Sequence, residues 1–249
     1  MPELVIALDF PDQEPALNLA RKLQGKGLWL KVGMELFTKA GPDMVRALKD
    51  MDYPVFLDLK YHDIPNTVQG AMRSAAALGV NLATIHICGG EKMVKAALQG
   101  ASEGRLPGEK KLLVLGVTVL TSLGSEDLCT ELSVFSEDWP AKEGLPSCPD
   151  PAKVALNRAV AAKTWGLRGI VCSPHEAAQI KKICGADYVC LTPGIRLPGG
   201  DTQDQKRVMT PAQAVSMGAD FLVVGRAITA APNPLQAVDA VFANILQGC

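Results

Sequence analysis

Val55-Phe56-Leu57-Asp58-Leu59-Lys60-Tyr61-His62-Asp63-Ile64-Pro65-Asn66-Thr67-Val68 begins as a β-strand whose two faces disagree. Alternate residues of a strand share a face. Val55, Leu57 and Leu59 make one side wholly apolar, while Phe56, Asp58 and Lys60 fall on the other. Two charges on a strand are costly to desolvate unless they are paired. A barrel reconciles the faces: the apolar side packs on an outer layer of helices, and Asp58 and Lys60 point into the mouth. In isolation the two could also be a structural ion pair.

The same test, moved outward, finds two more inward charges. In segment 28–33, Leu28, Leu30 and Val32 share a face and Lys31 lies opposite. In segment 4–9, Asp9 closes the run on the face opposite Leu4, Ile6 and Leu8. Eight apolar runs, at 4–10, 28–33, 55–60, 82–87, 112–120, 169–173, 187–192 and 221–225, are each bounded by Gly, Pro or Asp. Helically spaced segments lie between them, for example 15–23, 44–51, 67–78 and 151–165. Strand and helix alternating eight times predicts an α/β fold: one (β/α)8 TIM barrel over residues 1–249, with its active site at the C-terminal mouth of the strands. Two longer connections, 123–150 and 193–209, each follow a strand and so belong at that mouth, where long loops often act as lids.

Composition agrees with this reading. A chain of 249 residues with 48% hydrophobic content suits a one-domain barrel with a sizeable core. The 25 basic residues are balanced by 26 acidic ones, which argues against a nucleic-acid partner but not against a small anionic ligand. The seven cysteines are odd in number and lack CxxC spacing, so they read as reduced core residues of a cytoplasmic protein. The three histidines show no ligand spacing to them, and no metal site is expected. The apolar run at the N-terminus has no basic residues before it and is too short for a signal peptide, and no stretch is long enough to span a bilayer.

Function is approached from both ends of the chain. The mixed array of Asp9, Lys31, Asp58 and Lys60, with Asp63 in the loop that follows, keeps a lysine protonated in a fixed place. That suits a reaction in which negative charge develops on carbon and a proton must then be delivered. Near the other end, Phe221-Leu222-Val223-Val224-Gly225-Arg226 runs a strand into Gly-Arg. Barrels often bind phosphate after strands seven and eight; Gly225 lets the backbone approach and Arg226 offers a bidentate fork. The polar, Gly-rich run from Thr192 to Gln205 could close over such a phosphate.

Asp-Leu-Lys-Tyr-His-Asp-Ile-Pro-Asn-Thr-Val at 58–68 resembles the signature of the orotidine 5'-phosphate decarboxylase family. Leu8-Asp9, Lys31-Val32-Gly33, Leu120-Thr121-Ser122, Pro193-Gly194-Ile195-Arg196 and Val224-Gly225-Arg226 extend the resemblance along nearly the whole chain, in the family's order. It implies cofactor-free decarboxylation of orotidine 5'-phosphate to UMP and CO2 in de novo pyrimidine biosynthesis. Lys60 would protonate the ring carbanion. Asp58 would sit near the substrate carboxylate and, with Lys31 and Asp63, hold Lys60 charged. Asp9 and Lys31 would contact the ribose, and Thr121 and Ser122 the pyrimidine. Gln205, Gly225 and Arg226 would bind the phosphate, supported by Arg196. The resemblance also implies a homodimer in which Asp63 and Thr67 reach the neighbouring site.

Three rival chemistries remain at this level. A Mg2+-dependent sugar-phosphate lyase shares the Asp-x-Lys-x-x-Asp core but needs more carboxylates at the strand ends. A Schiff-base aldolase needs a lysine of depressed pKa, and flanking aspartates act in the opposite direction. A phosphoribosyl-ligand binding protein without catalysis would have no use for Lys60.

Overall fold

The structure is a computed structural model that describes residues 1–108, 110–132, 149–197 and 209–248. Eight parallel strands close into a barrel in sequence order. They are β1 (Glu3–Ala7), β2 (Trp29–Gly33), β3 (Val55–Tyr61), β4 (Leu82–His86), β5 (Leu113–Val117), β6 (Gly169–Val171), β7 (Val189–Thr192) and β8 (Phe221–Val224). The ring closes where β1 pairs with β8, from Glu3 opposite Phe221 to Ile6 opposite Val224. Each strand lies within its expected segment or one residue from it. Several end earlier, because the chain bends toward the mouth while its hydrogen bonds continue: Leu8 N–H still donates to the Lys31 carbonyl (3.0 Å), and Thr118 N–H to that of Val171 (3.2 Å).

The outer layer comprises α1 (Gln13–Leu23), α2 (Met34–Ala40), α3 (Pro42–Asp50), α4 (Pro65–Ala77), α5 (Gly90–Glu103), α6 (Ser125–Leu132), α7 (Pro151–Thr164), α8 (Pro174–Cys184), α9 (Pro211–Ser216), α10 (Arg226–Thr229) and α11 (Pro234–Leu246). Six of these begin with proline, whose fixed φ and missing N–H suit a first helical turn. Caps add to the signal: the Asp150 side chain accepts from Ala152 N–H, and Asn233 from Gln236 N–H. The 123–150 connection contains α6, so its described part is not a plain loop.

The faces expected of each strand are the faces observed. Leu4, Ile6 and Leu8, Leu28, Leu30 and Val32, and Val55 and Leu57 all join the core between barrel and helices. Val5, Ala7, Phe56, Leu82, Leu115, Leu191, Phe221 and Val223 form a second cluster inside the barrel. At its lower end Trp29 meets Phe221 edge-on, with ring centroids 5.1 Å apart. Charge begins at the level of Ala7 and Phe56, the register partners of Lys31; Lys31 and Asp58 are buried charges.

β3 departs from regularity where the chemistry was expected. Leu57 pairs with Ala83, but Tyr61 pairs with Ile85, so four steps of β3 match two of β4. The excess is taken up around Lys60, whose φ is 49°. A lysine in the left-handed region is uncommon and costs roughly 1–2 kcal/mol.

The cysteine reading needs one correction. Cys129, Cys172, Cys184 and Cys190 are buried thiols as expected, but Cys88 is exposed, because the chain leaves β4 there in a short 3-10 turn. Cys148 and Cys249 lie outside the described residues. No described helix is long and apolar enough to cross a membrane.

Helices α4 and α5 pack closely beside β3, which carries Asp58 and Lys60. A methyl group at Gly100 would collide with the Gln69 carbonyl oxygen. Gly→Ala inside a helix usually gains up to about 1 kcal/mol. Here the clash with backbone dominates, and Gly100→Ala is expected to lose about 1–3 kcal/mol. A urea denaturation series measures this; an unchanged or raised midpoint would show that the helices can separate at no cost.

Candidate active site

A cavity of about 620 Å3 opens at the C-terminal end of the barrel. Its floor is a row of four alternating charges. The Lys31 ammonium donates to Asp9 Oδ1 at 2.8 Å and lies 3.6 Å from Asp58 Oδ2; the Lys60 ammonium donates to that same Oδ2 at 2.9 Å. Asp9 keeps 60% of its side chain exposed, whereas Lys31 keeps 9% and Asp58 12%. The row thus descends from exposed Asp9 to buried Lys31 and Asp58 and rises again to half-buried Lys60. Ala7, Lys31 and Phe56 are register partners, and so are Gly33 and Asp58. Lys31 thus starts one inward position below Asp58 and its long side chain reaches up to it, while Asp9 lies just beyond β1.

Burial alone would raise the Asp58 carboxyl above the ordinary carboxylate range. The charges of Lys31 and Lys60, with hydrogen bonds from Lys60 and Thr84, outweigh that effect and hold it below the range. The second Asp58 oxygen, Oδ1, accepts from the Thr84 hydroxyl at 2.9 Å. A buried carboxylate with both oxygens engaged is held in one orientation.

Other residues expected from sequence gather around this floor. Thr121 and Ser122, beyond β5, line the cavity with Arg196, beyond β7, and Gly225 and Arg226, at the end of β8. Gly194, at φ 78°, turns the chain there, and Arg196 N–H donates to the Met209 carbonyl at 3.0 Å. An isolated parallel bridge between Ile195 and Met209 brings the two ends of the β7 connection together. Gln205 lies outside the described residues.

Asp63 and Thr67 are not brought into this cavity. Both are exposed, and Asp63 accepts from the Ile64 N–H at 2.6 Å rather than meeting Lys60. Two participants were missed from sequence. Thr229, in α10, lines the cavity. Thr84 sits at an inward position of β4, and its signal was a hydroxyl between Ala83 and Ile85 in an otherwise apolar run.

The model of the orotidine 5'-phosphate decarboxylase / HUMPS family matches residues 2–241. The chain belongs to that family. A Nitratidesulfovibrio vulgaris protein named orotidine 5'-phosphate decarboxylase is 49% identical over 247 residues, 98% of each chain. A Nostoc relative of the same name is 46% identical over 233 residues, 93% of this chain and 92% of its own. The crystal structure of orotidine 5'-phosphate decarboxylase from Lactobacillus acidophilus superimposes with a TM-score of 0.81 at 34% identity, covering 98% of this chain and 99% of that one. Family membership explains why one barrel mouth combines a charged floor with a Gly-Arg strand end.

Because Asp58 is held below its unfolded value, the unfolded chain binds the proton first as pH falls. Its contribution to stability is therefore complete above the ordinary value of about 3.9 and is lost progressively below it. The urea midpoint of the wild type should fall more steeply between about pH 4 and pH 2 than that of Asp58→Asn. Parallel curves would show that Asp58 is not preferentially ionised in the folded state.

Proposed function

We propose that this chain decarboxylates orotidine 5'-phosphate to UMP and CO2 without a cofactor, with Lys60 as the proton donor. The observation that carries the reading is the row Asp9–Lys31–Asp58–Lys60 on the floor of a cavity within the usual size range for small-molecule sites. Membership of the family makes the protein a decarboxylase, a carboxy-lyase.

The chemistry follows from the charges. The bond between ring carbon and carboxylate breaks heterolytically; CO2 departs and the electron pair stays on carbon. The Lys60 ammonium, held by Asp58 on the cavity floor, donates one proton to that carbon and is reprotonated from water. An ammonium about 4 Å from a developing carbanion contributes roughly 4 kcal/mol at an effective dielectric near 20. At about 1.4 kcal/mol per tenfold, that is some three orders of magnitude. Further acceleration comes from binding energy at the ribose and phosphate, used to position the ring. Asp9 and Lys31 would bind the ribose hydroxyls, Thr121 and Ser122 the pyrimidine, and Gln205, Gly225 and Arg226 the phosphate, with Arg196 supporting that end.

Two ammoniums on either side of Asp58 make the floor a poor seat for a divalent cation, which favours this reading over a Mg2+-dependent lyase. Homodimer formation is part of the proposal. Asp63 and Thr67 are exposed and flank Ile64, an apolar side chain 67% exposed, and an interface would cover all three. In this reading both residues complete the neighbour's site, and the enzyme works in the cytoplasm with a small-molecule substrate and neither nucleic acid nor membrane as partner.

The test follows loss of orotidine 5'-phosphate absorbance. Turnover should persist in EDTA, and Lys60→Ala should lower kcat by about 10²–10⁴-fold. Arg226→Ala should instead raise KM by roughly 10- to 100-fold, as expected for a lost charge-assisted phosphate contact. A wild type that binds UMP but leaves the substrate intact would overturn the assignment, and EDTA inhibition would point to a metal-dependent lyase.

A further inference from the structure

We propose that Thr84 is a positioning residue of this site, setting both the Asp58 carboxylate and the conformation of Lys60 through one buried hydroxyl. The inference rests on the decarboxylase reading for its kinetics but not for its geometry. Thr84 is fully buried. Its Oγ1 donates to Asp58 Oδ1 at 2.9 Å and accepts from the Lys60 backbone N–H at 3.1 Å. A hydroxyl has one hydrogen to give and lone pairs to receive with, so the two bonds have opposite polarity and fit one side chain at once.

The position of these bonds matters more than their number. They fall at the register shift, where β3 has left the regular ladder with β4 and Lys60 has φ 49°. There the regular backbone pairing with β4 is interrupted, and the Thr84 side chain accepts from the Lys60 N–H in its place. Without an acceptor, a buried N–H and a strained φ would both favour rearrangement. The hydroxyl thereby holds the lysine backbone in the conformation from which its ammonium folds back onto Asp58, two residues earlier. The charged groups facing Asp58 are Lys31 on β2 and Lys60 on its own strand, with Asp9 beyond Lys31, and β4 contributes the Thr84 hydroxyl. Thr84 does not line the cavity, so it acts through these residues and not on substrate.

Thr84→Val keeps the shape and removes both bonds; Thr84→Ser keeps both bonds and removes a methyl group. In Thr84→Val, kcat should fall roughly 10- to 100-fold with KM changed much less, as for the loss of buried bonds that orient reacting groups. Loss of the donor removes one influence that lowers the Asp58 pKa, so the acid limb of kcat/KM should move to higher pH. Thr84→Ser should restore both the rate and the limb. Carboxyl 13C titration of Asp58 gives a readout independent of turnover, with the valine resonance titrating at higher pH than wild type and the serine resonance matching it. If Thr84→Val fails to fold, Thr84→Ala carries the same comparison. Wild-type kcat and an unmoved Asp58 titration in a folded valine variant would overturn the proposal, as would equal losses in valine and serine. If the wild type does not turn over orotidine 5'-phosphate at all, the functional reading fails, and the 13C titration alone decides the role of Thr84.

Discussion

Asp58 is nine-tenths buried, and it stays ionised because two ammonium groups and a hydroxyl converge on its two oxygens. Removing either kind of partner would leave a charge or a lone pair without solvent in a place where neither can be rehydrated. Much of the mouth can be seen as meeting that requirement. β2 must deliver Lys31 one inward position below Asp58, within reach of its carboxylate, β3 must turn so that Lys60 folds back, and β4 must present Thr84 from the side. Even a glycine follows from it: a methyl group at Gly33 would stand 3.0 Å from both Asp9 Oδ1 and the Lys31 ammonium, so the bare backbone there leaves the ion pair its room.

The division between floor and rim follows from the same physics. Lys31 and Asp58 sit in hydrogen-bonded strand ladders, which resist displacement, with Asp9 just beyond β1 and Lys60 at the register shift of β3. The rim residues Thr121, Ser122, Arg196 and Arg226 sit on the segments that leave β5, β7 and β8. Charge stabilisation depends steeply on distance, and it is assigned to the rigid part. In the proposed reading the pyrimidine and phosphate contacts, which tolerate small adjustments, fall to the connections, while Asp9 and Lys31 of the floor hold the ribose.

What could be read beforehand was what repeats. Period two placed Asp9, Lys31 and Asp58 on the inner face, and the observed core divides along that same alternation. Helical spacing placed the starts of the four quoted helices within two residues. Lys60 was assigned inward for an incomplete reason: period two fails at the register shift, and the lysine reaches Asp58 through a left-handed backbone that no local pattern announces. Thr84 was illegible because its importance depends on a neighbouring strand 24 residues away. Cys88 was misread because an apolar neighbourhood in sequence does not say where a strand ends. Asp63 and Thr67 came from family resemblance, and a single chain leaves both at its surface.

The edge-on contact of Trp29 with Phe221 has a bearing on traffic. Together with Phe56, Leu82 and Leu115 these rings plug the barrel axis among the described residues, so the cavity has one doorway and no back exit through the strands. A substrate entering phosphate-last would place its ring on the charged floor and its phosphate at the threshold. In the proposed reaction, CO2 formed at the floor would have to pass the nucleotide or wait for it to leave. Crowding at a dead end of this kind links the order of departure to the grip on the phosphate, so a rim that held its anion too firmly would slow the clearance of both products.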